Sequence, residues 1–301
     1  MTYSIVARDP ATGDLGVAVQ SHWFAAGDVC WARSGVGAVA TQATALIDHG
    51  PLALELLAEG RTAEEALRAR LAADEHAEVR QVAVLDMEGR VATHTGAECI
   101  REAGHRTGEG FSCQANMMRK ATVWDAMARA YTSAEGELAD RLLAALDAAE
   151  AEGGDIRGKQ AARILVVRAE PTEKPWEDVL LDLRIDDHPE PLPELRRLLA
   201  LKRAYEHQDA AEHAMTDVDL QRAEDEARTA LELAPGNPEL SFWNAIGMAT
   251  IGMIREARTE MLPAPFAADP GWRELLIRLG EQRLVGLTPE MVSQLLQEPP
   301  D

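Results

Sequence analysis

The second residue of the sequence, Thr2, carries two groups that together can attack a carbonyl carbon. Methionine aminopeptidase readily removes an initiator methionine that precedes a small residue, so loss of Met1 leaves a hydroxyl and a free α-amine on Thr2. An α-amine titrates at a pH of about 8, and its neutral fraction at neutral pH can accept the hydroxyl proton. Thr2 is therefore the candidate nucleophile of a hydrolase that cleaves an amide (C–N) bond of a small substrate, and the alternative is that threonine is simply a common second residue.

Polar residues near the ends of predicted strands are candidates for binding a substrate or an oxyanion. Ordinary polar residues of strand ends and turns are the alternative interpretation. The residues that we expect to contact the substrate are Ser4, Ser21, Thr41 and Gln114. Asn116 and Gln42 are expected to act in catalysis by stabilising the oxyanion.

Carboxylate and imidazole side chains form a candidate metal site, which consists of Asp186, Asp187, His188, His94 and His105. Adjacent strand residues point to opposite faces, so a strand-end turn or an ion pair with Arg184 or Arg157 is favoured over a metal. Cys113 with His105 is a further candidate nucleophile, although a small buried thiol is the commoner case. We expect neither a metal nor a cofactor.

The composition is that of a globular chain with a strongly acidic balance. Of 301 residues, 46% are hydrophobic and 27% are charged, and the formal net charge is −21. This charge repels phosphate groups, so neither nucleic acid nor an anionic membrane is an expected partner. No apolar run reaches the roughly 18–20 residues of a membrane span, and the first residues lack the layout of a signal peptide, which predicts a cytoplasmic protein.

Pairs of β-type runs alternate with pairs of helical stretches in the first 190 residues. The predicted strands are 3–7, 15–19, 29–33, 36–40, 81–85, 90–94, 164–167 and 179–183. The predicted helices are 51–57, a helix after the capping box Thr62–Glu65, 117–131, and 135–151 after the capping box Thr132–Glu135. Short links between strands favour antiparallel sheets, and paired helices must cover outer faces. The predicted fold class is α+β, a four-layer α-β-β-α sandwich.

Only helical patterns remain after residue 190, so the predicted domains are a sandwich, 1–190, and a helical domain, 191–301. Pro235 and Pro270 occupy corresponding places in two similar segments, 35 residues apart. This spacing resembles tetratricopeptide repeats, with an irregular helical appendix as the alternative. We predict a homo-oligomer, because antiparallel sheets leave open edges and Trp23, Trp31 and Trp124 offer apolar surface. The alternative is that these tryptophans belong to the core.

Six separated segments resemble one protein family. They are TYSIVARD (2–9), GVAVQS (16–21), GVGAVATQ (35–42), QANM (114–117), DIRG (155–158) and LRIDDH (183–188). These segments are similar to the bacterial and archaeal family called domain of unknown function 1028, over about residues 2–200. The resemblance implies a fold like that of N-terminal nucleophile (Ntn) hydrolases and proteasome β subunits, with Thr2 at the nucleophile position. Some members carry a C-terminal domain labelled peptidoglycan-binding-like.

Two departures from that pattern bear on catalysis. Proteasome-type sites place a lysine beside the threonine, whereas the first lysine here is Lys120. Arg33 is the nearest cation in a comparable strand, and it could supply charge but could not act as a neutral base. Ala115 stands where the family has glycine, which weakens an oxyanion role for 114–116. A catalytically inactive Ntn-like scaffold, whose helical tail binds a peptide or protein, is therefore the alternative to the hydrolase.

Overall fold

The computed structural model describes residues 2–297, and the chain divides into two compact units, Met1–Arg196 and Arg197–Asp301. The first unit contains two antiparallel sheets and four helices that precede the division. The division falls inside a long helix, Pro191–Thr216, whereas the composition placed the boundary at its first residue. The α+β class, with antiparallel sheets and a C-terminal helical region, is confirmed.

The larger sheet has six strands in the order β10-β9-β2-β1-β8-β7. These strands are β1 (Thr2–Arg8), β2 (Leu15–Ser21), β7 (Gly104–Gly108), β8 (Phe111–Asn116), β9 (Ala161–Val167) and β10 (Val179–Ile185). β1 lies in the interior of the sheet, between β2 and β8. The β1–β2 hairpin is confirmed, and Gly13 in its turn has a φ of +82°, which suits glycine.

The smaller sheet has four strands in chain order: β3 (Cys30–Arg33), β4 (Gly37–Ala43), β5 (Arg80–Asp86) and β6 (Val91–Thr95). Its inward side chains, such as Ala40 and Leu85, share a buried apolar core with Val6 and Val17 of the larger sheet. Helices α1 (His49–Ala58) and α2 (Ala63–Ala72) contact the other face of the smaller sheet. Helices α3 (Val123–Ser133) and α4 (Leu138–Ala151) contact β1, β2 and β8.

Strands β7 and β8 were missing from the predicted order of elements. β7 is exposed and polar, and β8 alternates outward apolar residues with the polar residues Ser112, Gln114 and Asn116, which face the smaller sheet. The segment 114–116, which lies in none of the predicted strands or helices, belongs to a strand paired with β1. The capping box predicted at Thr132 was also wrong, because α4 begins later, after Glu137. The capping box Thr62–Glu65 is confirmed.

The second unit is helical. Its elements are α5 (Pro191–Thr216, which begins in the first unit), α6 (Leu220–Leu233), α7 (Pro238–Thr250), α8 (Ile254–Glu256), a π-helical turn (Ala257–Met261), α9 (Pro263–Ala268), α10 (Gly271–Glu281) and α11 (Pro289–Leu295). Pro235 precedes the start of α7 and Pro270 precedes α10, so the two similar segments both introduce helices. Within residues 2–297, no helix combines the length and apolar character needed to cross a membrane.

Candidate functional site

Thr2 is the first residue of β1, and its side chain points into the space between the two sheets. Its register partners are Ser21, the last residue of β2, and Asn116, the last residue of β8. The Thr2 hydroxyl donates to Ser21 Oγ at 3.1 Å, and Thr2 is 6% exposed. The predicted nucleophile therefore lies in a row of three polar side chains at one end of the sheet. Met1, whose removal the mechanism requires, lies outside the described residues.

Two buried side-chain amides hold the main chain of Thr2. Gln42 Nε2 donates to the Thr2 carbonyl oxygen at 3.2 Å, and Asn116 Nδ2 donates to the same oxygen at 3.3 Å. Gln42 comes from β4, so it crosses from the smaller sheet to reach this carbonyl. Both residues are almost completely buried, which makes their hydrogen bonds costly to lose. These contacts give Gln42 and Asn116 a role in fixing the position of Thr2.

Gln81 connects these two amides and was not among the predicted site residues. Its Oε1 accepts from Gln42 Nε2 at 2.6 Å and from Asn116 Nδ2 at 3.0 Å. Its own Nε2 donates to the carbonyl oxygen of Ala115 at 2.9 Å and to Thr95 Oγ1 at 2.9 Å. Gln81 is the second residue of β5, next to the polar start of an apolar strand, so it resembles an ordinary strand end. The sequence did contain a signal for its position. Gln81 alternates with Ala83 and Leu85, which face the other sheet, so its side chain is expected on the same face.

Ser4 and Gln114 lie deeper than Thr2 in the same hydrogen-bonded network. Gln114 Nε2 donates to Ser4 Oγ at 2.7 Å, and the Ser4 hydroxyl donates to Gln42 Oε1 at 2.7 Å. Both residues are fully buried. The structure therefore places them behind Thr2, where they orient Gln42 and do not line a surface that a substrate reaches.

The hydrogen bonds of this network run in one direction. Each side chain donates a hydrogen bond to the next in the series Thr93, Ser112, Gln114, Ser4, Gln42, Gln81 and Thr95. Thr95 Oγ1, which accepts from Gln81, lies 2.9 Å from Nδ1 of the exposed His105. Because each acceptor is the donor of the next bond, the orientation of every amide is fixed by its neighbours.

Arg33 and Thr41 lie away from this cluster. Arg33 bonds to Glu55 Oε1 at 3.0 Å and to the carbonyl oxygen of Leu54 at 3.1 Å, so its side chain is directed to α1. It pairs with Gly37, five residues before Gln42 in β4, which is about 16 Å away at about 3.3 Å per residue. Thr41 precedes Gln42, and its side chain points to the opposite face, toward the helices. The structure does not bring either residue to Thr2.

The outer face of β1 carries a second polar contact beside Thr2. The Tyr3 hydroxyl donates to Glu150 Oε1 of α4 at 2.6 Å, and the side-chain amide of Gln20 bonds to the same hydroxyl. Burial, followed by the Glu150 carboxylate, raises the pKa of Tyr3 well above its usual range. Cys113 is also buried on this outer face, and burial raises the pKa of its thiol. The arrangement keeps both groups protonated, which removes Cys113 as a thiolate nucleophile.

The loop after α4 approaches the same end of the sheet through Asp155. Asp155 Oδ2 accepts from the main-chain nitrogen of His22 at 3.3 Å and from Arg157 Nη2 at 2.8 Å. Asp155 is 1% exposed, so this carboxylate and the Arg157 guanidinium form a largely buried ion pair. The contact joins the loop that follows Ser21 to the loop that precedes β9.

The residues of the candidate metal site are engaged separately. Asp186 pairs with Arg184 at 2.9 Å, Asp187 accepts from Gln160, and His188 Nδ1 accepts from the main-chain nitrogen of Glu190. In the part of the chain that the structure describes, no three His, Cys, Asp or Glu side chains are grouped to hold a metal ion. The Arg184 ion pair is the arrangement that the sequence favoured.

Comparison with known proteins identifies relatives of the first unit. The model of the family of unknown function DUF1028 matches residues 2–195. A crystal structure of a Silicibacter pomeroyi protein assigned to the same family is 32% identical, with a TM-score of 0.59. The match covers 66% of this chain and 87% of that protein. No curated protein matches the chain significantly.

Proposed function

This chain belongs to the DUF1028 family, and we propose that it is an N-terminal nucleophile amidohydrolase that cleaves a small amide substrate with Thr2. One observation carries the proposal. The Thr2 hydroxyl lies at the start of an interior strand, faces the space between two sheets, and is 3.1 Å from Ser21 Oγ. Its carbonyl oxygen is held at the same time by Gln42 and Asn116.

The layered arrangement supports the finer fold assignment. α1 and α2 contact one face of the smaller sheet, α3 and α4 contact one face of the larger sheet, and the remaining two faces share the apolar core. We propose that this is the four-layer α-β-β-α sandwich of Ntn hydrolases. A nucleophile at the end of β1, directed between the sheets, is consistent with that fold.

The proposed reaction begins after removal of Met1. The α-amine of Thr2 accepts the hydroxyl proton as Thr2 Oγ1 forms a bond to the substrate carbonyl carbon. The tetrahedral oxyanion then re-forms the carbonyl, the C–N bond breaks, and the α-ammonium returns the proton to the departing amine. Water, deprotonated by the same α-amine, attacks the ester carbon, and the proton passes to Thr2 Oγ1 as the carboxylic acid leaves.

The contacts of Gln42 and Asn116 suggest a positioning role in this scheme. The amide nitrogen of Asn116 has two hydrogens, and its acceptors are the Thr2 carbonyl and Gln81 Oε1. Gln42 Nε2 likewise contacts the Thr2 carbonyl, Gln81 Oε1 and the Gln114 carbonyl. We therefore assign orientation of Thr2 to these amides and orientation of its hydroxyl to Ser21.

The test combines mass spectrometry with covalent labelling. Intact-mass analysis of the native protein should show loss of Met1. A β-lactone should then acylate Thr2, because hydroxyl attack opens the ring and adds the whole mass of the reagent. Thr2→Ala should abolish this labelling, Thr2→Ser should retain it, and the control Thr12→Ala, at an exposed turn, should label normally. Labelling that persists in Thr2→Ala would exclude this nucleophile.

A catalytically inactive scaffold is the second candidate function. It is favoured by the bonds just described, because the side-chain amides beside Thr2 are engaged with protein acceptors. In that case the protein acts through binding, with the second unit as the surface for a peptide or protein partner, or as a homo-oligomer. A native protein that retains Met1 and resists the β-lactone would support this candidate over the hydrolase.

A further inference from the structure

Large apolar side chains are exposed around the end of the first unit where Thr2 lies. We call these residues the apolar rim; they are Trp23, Phe24, Ile47, Ile100 and Ile156. Trp23 is 66% exposed and Phe24 is 64% exposed, although tryptophan and phenylalanine are costly to leave in water. Such a concentration of apolar surface commonly marks a binding site.

The strand ends explain why the rim surrounds Thr2. Ser21, the register partner of Thr2, ends β2, and Trp23 and Phe24 follow it after His22. Asn116, the partner on the other side, ends β8, and the next residue, Met117, bonds to two members of the rim. Met117 N donates to the Ile100 carbonyl at 3.3 Å, and Ile156 N donates to the Met117 carbonyl at 3.2 Å.

The remaining rim loops join the same hydrogen-bonded ring. Ile156 follows Asp155, which accepts from the main chain of His22, next to Trp23. On the other side, the loop after β4 that carries Ile47 is held by Arg80, whose Nη1 donates to the Thr44 carbonyl at 2.6 Å. The Arg80 carbonyl accepts from Cys99 Sγ at 3.4 Å, immediately before Ile100. The rim residues are therefore carried by loops that are bonded in sequence around the Thr2 end.

The opposite end of the first unit provides a contrast. There the exposed large apolar side chains, among the described residues, are Trp176 and Val179, both at the link between β9 and β10. Leu52 is exposed on α1. Since loops occur at both ends, the concentration of apolar groups at the Thr2 end is a property of the site and not of loops in general.

Charged groups beneath the rim are paired with each other. Asp155 pairs with Arg157 at 2.8 Å, and Arg80 pairs with Asp74 at 2.8 Å. Ligands that approach Thr2 among the rim residues therefore meet apolar side chains above these two ion pairs. On the basis of the proposed function, we infer that the substrate is an uncharged amide bearing an aromatic or branched aliphatic group, which the apolar rim binds.

The binding test uses phenylacetamide and acetamide with the Thr2→Ala protein, which cannot turn them over. Titrations followed by ligand-observed NMR should show phenylacetamide binding more tightly by at least about tenfold, since one buried methylene already discriminates by about that factor. Adding Trp23→Ser and Phe24→Ser should remove this preference. The matched control, Trp176→Ser, changes an equally exposed tryptophan at the opposite end and should preserve it.

Turnover by the protein with Thr2 intact separates this inference from the proposed function. Hydrolysis of both amides without a preference would overturn the inference and leave the hydrolase standing. A binding preference without hydrolysis, in a protein that also resists the β-lactone, would support the apolar site and reject Thr2 as nucleophile. Equal binding of the two amides, or no binding, would overturn the inference. Self-association would also overturn the inference if light scattering showed that Trp23→Ser and Phe24→Ser abolish it and the two amides bound alike. The rim would then be an interface between copies.

Discussion

Replacement of Gln81 by leucine tests whether the amide network holds the two sheets together around Thr2. Gln81→Leu keeps a side chain of similar size and removes both the donor and the acceptor. The Oε1 of Gln81 receives two hydrogen bonds, and its two amide hydrogens are shared among Thr95, Gly104 and Ala115. The variant therefore loses the equivalent of about four buried hydrogen bonds.

The expected loss of stability follows from these contacts. Four bonds at about 1 kcal/mol each correspond to about 4 kcal/mol, and leucine avoids burying an amide, which offsets about 1 kcal/mol. The free energy of unfolding should fall by about 3 kcal/mol. For a unit of this size, that change lowers the melting temperature by about 6–12 °C.

Urea unfolding followed by tryptophan fluorescence, with the m-value as a check on compactness, measures the effect. Gln160→Leu is the control, because Gln160 makes an exposed bond to Asp187 and should change stability by no more than about 0.5 kcal/mol. A Gln81→Leu protein that matches this control would refute the reasoning.

Gln81→Glu tests the direction in which stability changes with pH. Burial raises the pKa of a carboxyl group, so this variant should be more stable at pH 5 than at pH 8.

Three further predictions concern titration and the outer faces of the sheets. Burial, opposed by the Asp74 carboxylate, lowers the pKa of the His49 imidazole, so the unfolded chain takes up a proton at a higher pH than the folded one. Its contribution to stability is complete above about pH 6.5 and declines below it, by at most about 1.4 kcal/mol per pH unit, and melting curves of His49→Gln should lack this decline. Tyr3→Phe removes a hydroxyl bonded to Glu150 and should destabilise the protein by about 1–3 kcal/mol in urea unfolding; an unchanged midpoint would contradict the buried contact. Arg33→Ala removes an exposed ion pair with α1 and should cost less than about 1 kcal/mol while leaving β-lactone labelling intact, whereas lost labelling would return Arg33 to the site.

Local signals determined which parts of the fold could be predicted. Pro10 and Gly13 specify the turn between β1 and β2, and Thr62 with Glu65 specifies the start of α2, because each signal acts within a few residues. β7 has no such signal, because it is exposed and polar. β8 alternates apolar and polar residues, but its polar side chains face the other sheet and bond to residues far away in sequence, so the pattern does not show that both faces are buried.

The same reasoning applies to the candidate site. The structure brings together Thr2, which the sequence singled out as the nucleophile, with Ser21, Gln42 and Asn116, which it singled out for binding the substrate or the oxyanion. It separates Thr41 from them, since neighbouring residues of a strand face opposite sides and only the register determines which side is inward. Gln81 was missed for a related reason, because its partners lie on other strands and the pairing of those strands cannot be read from a single sequence.

The interior position of β1 sets an order of events during synthesis. β1 is made before the other described strands, and one of its two neighbours, β8, follows more than a hundred residues later, as in the pair Ser4 and Gln114 with a separation of 110. At about 5–20 residues per second, the ribosome needs about 6–20 s to supply β8. Until then Thr2 lacks the Asn116 contact and stays open on that side, whereas in the finished fold it is 6% exposed. If Thr2 acts as proposed, we expect Met1 to be removed from the nascent chain, before β8 pairs with β1 and encloses Thr2.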